Sequence, residues 1–259
     1  MPPRALSPTG LVLVDKPEGP SSFALVQKLR DRTGARAGHT GTLDPFATGL
    51  LLVLLGSSTR LAQYLVGLDK RYVTEIDLGS RTSTGDREGE EVERREPPPR
   101  MEVEEAVAAL VGEVELPIPA ASAVKIDGER AYKLHRRGVV VEMPLRRSTV
   151  HAAELLGYDD GVATLDLRVG SGTYVRAIAD ALGGHCSTLR RTEVGPFRVE
   201  DADEGRILPP VEALSFLPLV EVDAEEALAI RAGRSRHDEP LRVVHEGELV
   251  AVNGTVMPS

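Results

Sequence analysis

The segment at residues 38–51, GHTGTLDPFATGLL, constrains this chain most, because it sets one carboxylate among small, turn-forming and apolar residues. Glycines at 38, 41 and 49 allow positive φ and close backbone approach, and Pro45 stiffens the chain directly after Asp44. The apolar run at residues 50–55 predicts a buried element behind the loop, which would strengthen the electrostatic effect of the acid. Asp44 is therefore either an acid presented to a ligand or an ordinary turn residue that caps a helix.

The glycines of this segment do not belong to a nucleotide-phosphate loop. No Walker lysine follows them, and the sequence has no strand-GxGxxG-helix unit. Cys186 is the only cysteine, which excludes an internal disulfide and a cysteine-based zinc site. The six histidines are scattered without metal-ligand spacing, so we expect neither a metal nor a cofactor.

Length and hydropathy predict a globular protein. With 259 residues, 41% hydrophobic and 27% charged, the chain suits one large domain, alone or with a small one. No apolar run approaches the length of a membrane span, and the first residues, MPPRALSPTG, lack the apolar core of a signal peptide. We expect a soluble protein that stays in the cytoplasm.

The net charge of −9 argues at first against a nucleic-acid partner, because phosphates attract lysine and arginine. The charges are unevenly distributed, however. Residues 1–83 and 116–199 each carry three more basic than acidic side chains, whereas residues 84–115 and 200–259 hold the excess acid. A basic cleft on an acidic body is compatible with this distribution.

Hydrophobic periodicity predicts alternating strands and helices. It favours strands at residues 10–14, 70–79, 148–156 and 162–169, and a hairpin formed by 241–244 and 249–252. It favours helices at residues 59–68, 102–111 and 211–217. A further helix is expected to start at Ser21–Ser22, to use Phe23, Val26 and Leu29 as its apolar positions, and to end near Gly34.

The segment 122–138 is the most basic part of the chain. Its five cations alternate with Tyr132 and His135, which suits contact with an RNA backbone and a looped-out base. A solvated amphipathic helix with its arginines and lysines turned outward is the alternative interpretation.

The segment GSGTYVR at residues 170–176 follows a predicted strand. Its glycines free the backbone, Tyr174 offers a ring and Arg176 a planar cation. Together these groups could hold an unstacked base beside a carboxylate.

Taken together, the motifs resemble the TruB family of tRNA pseudouridine synthases over roughly residues 10–200. The segment around Asp44 is similar to the family's catalytic-aspartate signature. The other segments match family motifs in the family's order: DKPEGPSS at 15–22, KRY at 70–72, RTSTGD at 81–86, SAVKIDGERAY at 122–132, GTYVR at 172–176 and LRRTEVGPF at 189–197.

The resemblance implies roles for individual residues. Asp44 would be the catalytic acid, and Arg176 would pair with it and keep it ionised, since a guanidinium offsets the desolvation of a buried acid. Five residues would bind the flipped uridine: His39, Tyr72, Tyr174, Arg176 and Leu189. Four would support the site: Lys16, Pro17, Asp86 and Arg191. Five would contact RNA in an insertion that clamps the T-loop: Lys125, Arg130, Tyr132, Arg136 and Arg137.

The resemblance also implies an architecture. It predicts an α/β (α+β) pseudouridine synthase fold with a mixed, mainly antiparallel sheet at residues 1–212, with the RNA-clamping insertion near 120–145. It predicts a small β-rich, PUA-like domain, shortened, at residues 213–259. The connection from Gly183 to Leu189 is several residues shorter than the family's usual one.

The implied reaction cleaves the N1–C1′ bond of a uridine, normally uridine 55 in the tRNA T-loop, rotates the uracil and rejoins it through C5 without a cofactor. Asp44 could attack C1′, attack the ring or remove the C2′ proton, and all three need an ionised carboxylate. A tRNA-binding or folding module with weak or lost catalysis is the first alternative. A guide-RNA-dependent relative is the second, against which the short N-terminus and the self-contained insertion argue. By analogy we expect a monomer.

Overall fold

The computed structural model describes residues 8–234, 241–252 and 255–256. Its helices are α1 (Ser22–Thr33), α2 (Ala62–Val66), α3 (Arg100–Ala109), α4 (Ala131–Arg136), α5 (Val175–Ala181), α6 (Pro210–Ala213) and α7 (Ala224–Arg231). Its first strands are β1 (Gly10–Lys16), β2 (Ala37–His39), β3 (Thr48–Leu55), β4 (Lys70–Asp77), β5 (Ser80–Thr82), β6 (Glu91–Arg94), β7 (Gly112–Pro117), β8 (Lys125–Ile126) and β9 (Glu129–Arg130). The remaining strands are β10 (Leu145–Asp159), β11 (Val162–Val169), β12 (His185–Val194), β13 (Phe197–Arg198), β14 (Leu219–Glu221), β15 (Arg242–His245), β16 (Glu248–Val252) and β17 (Thr255–Val256).

The chain forms two compact units. The first comprises Met1–Pro45, Gly49–Val66 and Gly195–Ser259, and the second comprises Phe46–Thr48 and Gly67–Val194. No helix of the described residues is long and apolar enough to cross a membrane.

In the first unit, β3 lies between β1 and β2, both antiparallel to it. Every residue of β3 after Thr48 is buried, because the strand is covered on both faces, and this explains its unbroken apolar sequence. Helix α1 packs Leu25, Val26 and Leu29 into the cluster formed with β1 and β3. Ser21 caps its N-terminus and Gly34 its C-terminus, as predicted.

Three sequence expectations differ from the structure here. Phe23 is 60% exposed, because the buried face of α1 passes through Ser22 and Leu25 instead. The helix expected at 211–217 ends at Ala213, and the chain continues in tight turns. In these turns Ser215 N donates a hydrogen bond to Glu212 O, and Leu217 N donates one to Leu214 O. Pro218 then disfavours a helical conformation at Leu217. The helix expected at 59–68 is a 3-10 turn, Gly56–Leu61, followed by α2.

The C-terminal part of the first unit contains its own small sheet. Strand β14 runs parallel to β15, and β15, β16 and β17 are antiparallel neighbours. The predicted hairpin is present, with Glu246 and Gly247 at its turn. Helix α7, which the sequence pattern did not reveal, packs Ala227 and Ile230 against this sheet.

The second unit is built on the antiparallel order β12-β4-β11-β10-β7. Strand β4 lies between β12 and β11, so Tyr72 has Arg191 of β12 on one side and Leu167 of β11 on the other. The short connection after GTYVR is accommodated directly, because α5 ends at Ala181 and β12 begins at His185.

The burial of α1 yields a stability prediction. We expect Leu29→Ala to lower the free energy of unfolding by about 3 kcal/mol, because it leaves a cavity in a closed apolar cluster. Phe23→Ala, on the exposed face of the same helix, is the matched control, and we expect less than about 1 kcal/mol from it. Urea unfolding at equilibrium measures both, and equal losses would contradict this packing.

Candidate active site

The backbone on both sides of Asp44 is held by buried polar groups of the first unit. On the N-terminal side, the Ser22 hydroxyl donates to Leu43 O at 2.9 Å and accepts from Leu43 N at 2.8 Å. On the C-terminal side, Pro45 O accepts from Lys16 Nζ at 3.0 Å and from Gly19 N at 2.9 Å. Asp44 therefore lies in a loop whose path is fixed at each neighbouring peptide.

Lys16 performs this role from a fully buried position, with no exposed side-chain surface. It ends β1, opposite Gly49 of β3, and its ammonium also donates to Pro17 O at 2.9 Å. A buried ammonium is costly unless oxygen atoms surround it, so these carbonyls and the lysine hold each other in place. This geometry supports the supporting role predicted for the Lys16–Pro17 pair.

Asp44 itself is half-buried, whereas Leu43 beside it is 3% exposed. His39 is also half-buried and ends β2, where it pairs with Val53 of β3. Thr40 N continues this contact by donating to Leu52 O at 3.1 Å. The strand leading to the loop and the loop itself are thus anchored to the central strand of this unit.

The second unit contains a buried ion pair at the GTYVR motif. Arg176, in the first turn of α5, is 3% exposed, and its Nη1 lies 3.3 Å from Asp86 Oδ2. The same guanidinium donates to Thr84 O at 2.8 Å and to Ala121 O at 3.0 Å. Arg176 thereby joins three segments of this unit, and Asp86, predicted as a supporting residue, is its ion-pair partner. The predicted pairing of Arg176 with Asp44 stays a prediction.

Asp86 is in turn fixed by its own loop. Its Oδ1 accepts from Thr84 Oγ1 at 2.6 Å and from Glu88 N at 3.0 Å. Gly85 has a positive φ of 72°, and a β-carbon there would lie 3.4 Å from Arg176 Cβ. The positive φ favours glycine at this position of the RTSTGD loop, whereas the space beside α5 would admit a β-carbon in ordinary van der Waals contact.

Three predicted site residues share one face of the sheet. Tyr72 lies directly opposite Arg191, and Leu189, two residues before Arg191, lies opposite Thr74. Directly opposed residues of antiparallel strands project to the same side, as do residues two apart along a strand. Tyr72, Leu189 and Arg191 are therefore neighbours on that face, and each is less than a tenth exposed.

Lys70 extends this face and was absent from the predicted site, although it begins the KRY motif. It is two residues before Tyr72, is 7% exposed, and donates from Nζ to Leu68 O and, at 3.1 Å, to Ser171 Oγ of the GSGTYVR segment. Burial, together with the positive charge of Arg191, lowers its pKa to about 8 despite the nearby Asp69. The alternation along β4, which places Lys70 on the same face as Tyr72, was the available signal in the sequence. Its contact with Ser171, about a hundred residues away, was not predictable from a local pattern.

Tyr174 is the residue that precedes α5 and is half-buried. The loop that carries it is held from both ends, by Lys70 at Ser171 and by the buried guanidinium of Arg176. The backbone from which the Tyr174 ring projects is therefore held on both sides.

The basic segment forms a short hairpin, β8 and β9, followed by α4. The Arg136 guanidinium lies over the Tyr132 ring, 5.6 Å from its centroid. Arg137 forms an ion pair with Glu129 at 2.8 Å, and Arg130 donates to Ala123 O. Lys125 is exposed on β8. The alternative interpretation, one amphipathic helix over this segment, is therefore wrong: a hairpin and a short helix are present, and the Asp127–Gly128 turn has positive φ at both residues.

Comparisons with known proteins agree with these motifs. The family model described as TruB family pseudouridylate synthase (N terminal domain) matches residues 28–175. A protein of Leifsonia xyli subsp. xyli named tRNA pseudouridine synthase B is 46% identical, over 80% of this chain and 74% of that protein. A protein of Corynebacterium efficiens with the same name is 40% identical, over 92% of this chain and 87% of that protein.

A solved structure also resembles the chain. A chain in the crystal structure of a Cbf5–Nop10–Gar1 complex is 26% identical, with a TM-score of 0.70 over 94% of this chain and 77% of that one. The expected pseudouridine synthase fold, with its mixed and mainly antiparallel sheet, is confirmed.

The buried ion pair yields a second prediction. We expect Asp86→Ala to lower the free energy of unfolding by about 3 kcal/mol, because it leaves the Arg176 charge buried without this partner. Glu91→Ala, which breaks the exposed pair with Arg94, is the control and should cost less than about 1 kcal/mol. Thermal and urea unfolding measure both, and similar losses would be incompatible with a buried pair.

Lys70 yields a prediction about pH. Its pKa in the folded protein, about 8, lies below the ordinary value of 10.5, so the unfolded chain binds more protons between these values. The contribution of Lys70 to the free energy of unfolding should therefore rise with pH across that window. We expect the difference in unfolding free energy between wild type and Lys70→Met to grow in favour of wild type from about pH 8 to pH 10.5.

Urea titrations at several pH values measure this difference. Lys28→Met, at an exposed lysine of α1, controls for the loss of one lysine. A difference for Lys70→Met that stays constant across the window would disprove the lowered pKa.

Proposed function

We propose that this chain, which belongs to the TruB family of pseudouridylate synthases, isomerises uridine 55 in the T-loop of tRNA to pseudouridine. Support comes from the family match over residues 28–175 and from relatives that carry the name tRNA pseudouridine synthase B. The assignment of Asp44 as the catalytic acid depends on the Asp44 loop, whose flanking peptides are held by Ser22 and Lys16. A carboxylate fixed in this way suits an acid that must meet a sugar at a defined distance.

The reaction breaks the N1–C1′ bond of the target uridine, turns the uracil and forms a bond from C1′ to C5. C5 loses its proton after the new bond forms and N1 gains a proton in its place, so the product is an isomer of the substrate and no oxidant or cofactor is consumed. Asp44 acts as an ionised carboxylate, either as a nucleophile at C1′ or the ring, or as the base that removes the C2′ proton.

The target base has to leave the RNA stack first. Extrusion costs a few kcal/mol, which stacking and polar contacts in the pocket offset. We assign this binding to Tyr72 and Leu189, which share a sheet face, to Tyr174 at the start of α5, and to His39 beside the Asp44 loop. Arg191, on the same face as Tyr72, supports the pocket.

Arg176 is proposed to favour the ionised form of Asp44. Its own position is set by Asp86, Thr84 and Ala121, so it needs no reorganisation when substrate binds. A guanidinium held in advance stabilises negative charge more effectively than one that must be ordered during the reaction.

The segment near 120–145 is proposed to contact the T-loop and T-stem. Lys125 and Arg136 present charge and Tyr132 presents a ring, which are the groups that RNA backbones and splayed bases recognise. We further propose a catalytic domain at residues 1–212 and a PUA-like domain at 213–259, with the protein acting as a cytoplasmic monomer.

The alternative of a tRNA-binding module with lost catalysis predicts binding without product. Incubation of the purified protein with an unmodified tRNA transcript, followed by an assay for pseudouridine, separates the two functions. Product formed by the protein alone also excludes a requirement for a guide RNA.

We expect Asp44→Asn to abolish pseudouridine formation while tRNA affinity stays within about 1 kcal/mol of wild type, because phosphate contacts dominate affinity. Single-turnover assays and filter binding measure the two quantities. Asp31→Asn, at an exposed position of α1, is the control and should retain both. Normal turnover by the Asp44 variant would refute its assignment as the catalytic acid.

A further inference from the structure

The loop before Tyr174 has a nitrogen-bearing side chain beside each of three consecutive residues. A β-carbon on Gly170 would lie 3.8 Å from His151 Nε2, and Ser171 Oγ accepts from Lys70 Nζ at 3.1 Å. A β-carbon on Gly172 would collide with the Arg146 guanidinium. Glycine at 172 is also required by its positive φ of 82°. Side chains of β4 and β10 therefore converge on one short turn.

Arg146 differs in its charge environment from the arginines of this chain that form ion pairs. Arg71, Arg81 and Arg137 lie 2.8, 2.5 and 2.8 Å from carboxylate oxygens. Arg146 is exposed, and no carboxylate within the described part of the chain lies at ion-pair distance from it. Its positive charge therefore acts on the surrounding solvent.

One acid lies near this turn. Asp69 Oδ1 is 3.2 Å from His151 Nε2, and its Oδ2 is 3.9 Å from Arg168 Nη2. With Lys70 and Arg146 also present, positive charge exceeds negative charge around residues 170–172. A phosphodiester brought to this turn would meet the exposed guanidinium of Arg146, with the buried Lys70 ammonium behind Ser171 adding positive charge.

We propose that Arg146, with Lys70 and the turn at residues 170–172, forms a site for one phosphate of the RNA substrate next to the flipped uridine. This inference rests on the proposed function and adds to it a contact outside the basic segment at 122–138. A phosphate fixed beside the motif that carries Tyr174 would set the position of the sugar as well as the base.

The neighbouring Arg147 provides a matched control. It follows Arg146 along β10 and projects to the opposite side of the strand, where its Nη1 lies 3.7 Å from Glu113 Oε2. Arg146→Ala and Arg147→Ala therefore remove the same side chain from adjacent, exposed positions.

The test measures binding of the full-length protein to an unmodified tRNA transcript at several KCl concentrations. Each phosphate contact contributes about 0.9 to the slope of log affinity against log salt, so Arg146→Ala should lower the slope by about one and weaken binding about eightfold at 0.1 M. Arg147→Ala should keep the wild-type slope. Arg146→Lys should keep it too, because the charge remains.

An unchanged slope for Arg146→Ala, or an equal decrease for Arg147→Ala, would overturn the phosphate site. Loss of slope in Arg146→Lys as well as in Arg146→Ala would also overturn it, since charge would then not be the cause. Failure of the wild-type protein to form pseudouridine instead refutes the proposed function, and the salt slopes still decide the phosphate site separately.

Discussion

A buried ammonium needs oxygen atoms around it, and this requirement shapes the first unit. Lys16 obtains two of them from Pro17 and Pro45, so the end of β1 is bound to the peptide that follows Asp44. Neither the strand nor the loop can move without exposing this charge to an apolar surrounding. Because β1 pairs with β3, the buried core also determines where the Asp44 loop lies. The Asp44 loop is ordered by the fold itself, before any substrate arrives.

The second unit applies the same physical rule to another buried cation. Arg176 is surrounded by two carbonyl oxygens and by Asp86, whose own oxygens are bound by Thr84 and by the backbone of Glu88. The guanidinium is thus held in place at the cost of its freedom to reorganise. Fixed charges of this kind stabilise a transition state more than mobile ones, because the ordering has been completed during folding. With the role proposed for Arg176, stability and reactivity would depend on the same contacts.

The sequence predicted those features that depend on neighbouring residues. Strand β3, the capping of α1 by Ser21 and Gly34, and the C-terminal hairpin followed from local patterns. The exposure of Phe23 and the early end of α6 did not, because packing and a following proline override helical spacing. The resemblance pointed to Asp86 but not to its partner, and it did not point to the contact of Lys70 with Ser171. Both contacts join segments about a hundred residues apart, and no local pattern encodes such a pair.

Net charge proved a poor guide to what an acidic chain can bind, because affinity for RNA depends on where charge is left uncompensated. Carboxylates on the described chain lie beside Arg71, Arg81 and Arg137, so these arginines contribute little field at a distance. Among the residues that the structure describes, Arg146 has no carboxylate at ion-pair distance, and it lies against the turn at residues 170–172. An acidic surface elsewhere repels RNA from unproductive orientations, while a few free cations attract it locally. The overall charge of −9 is therefore compatible with selective RNA recognition and can sharpen it.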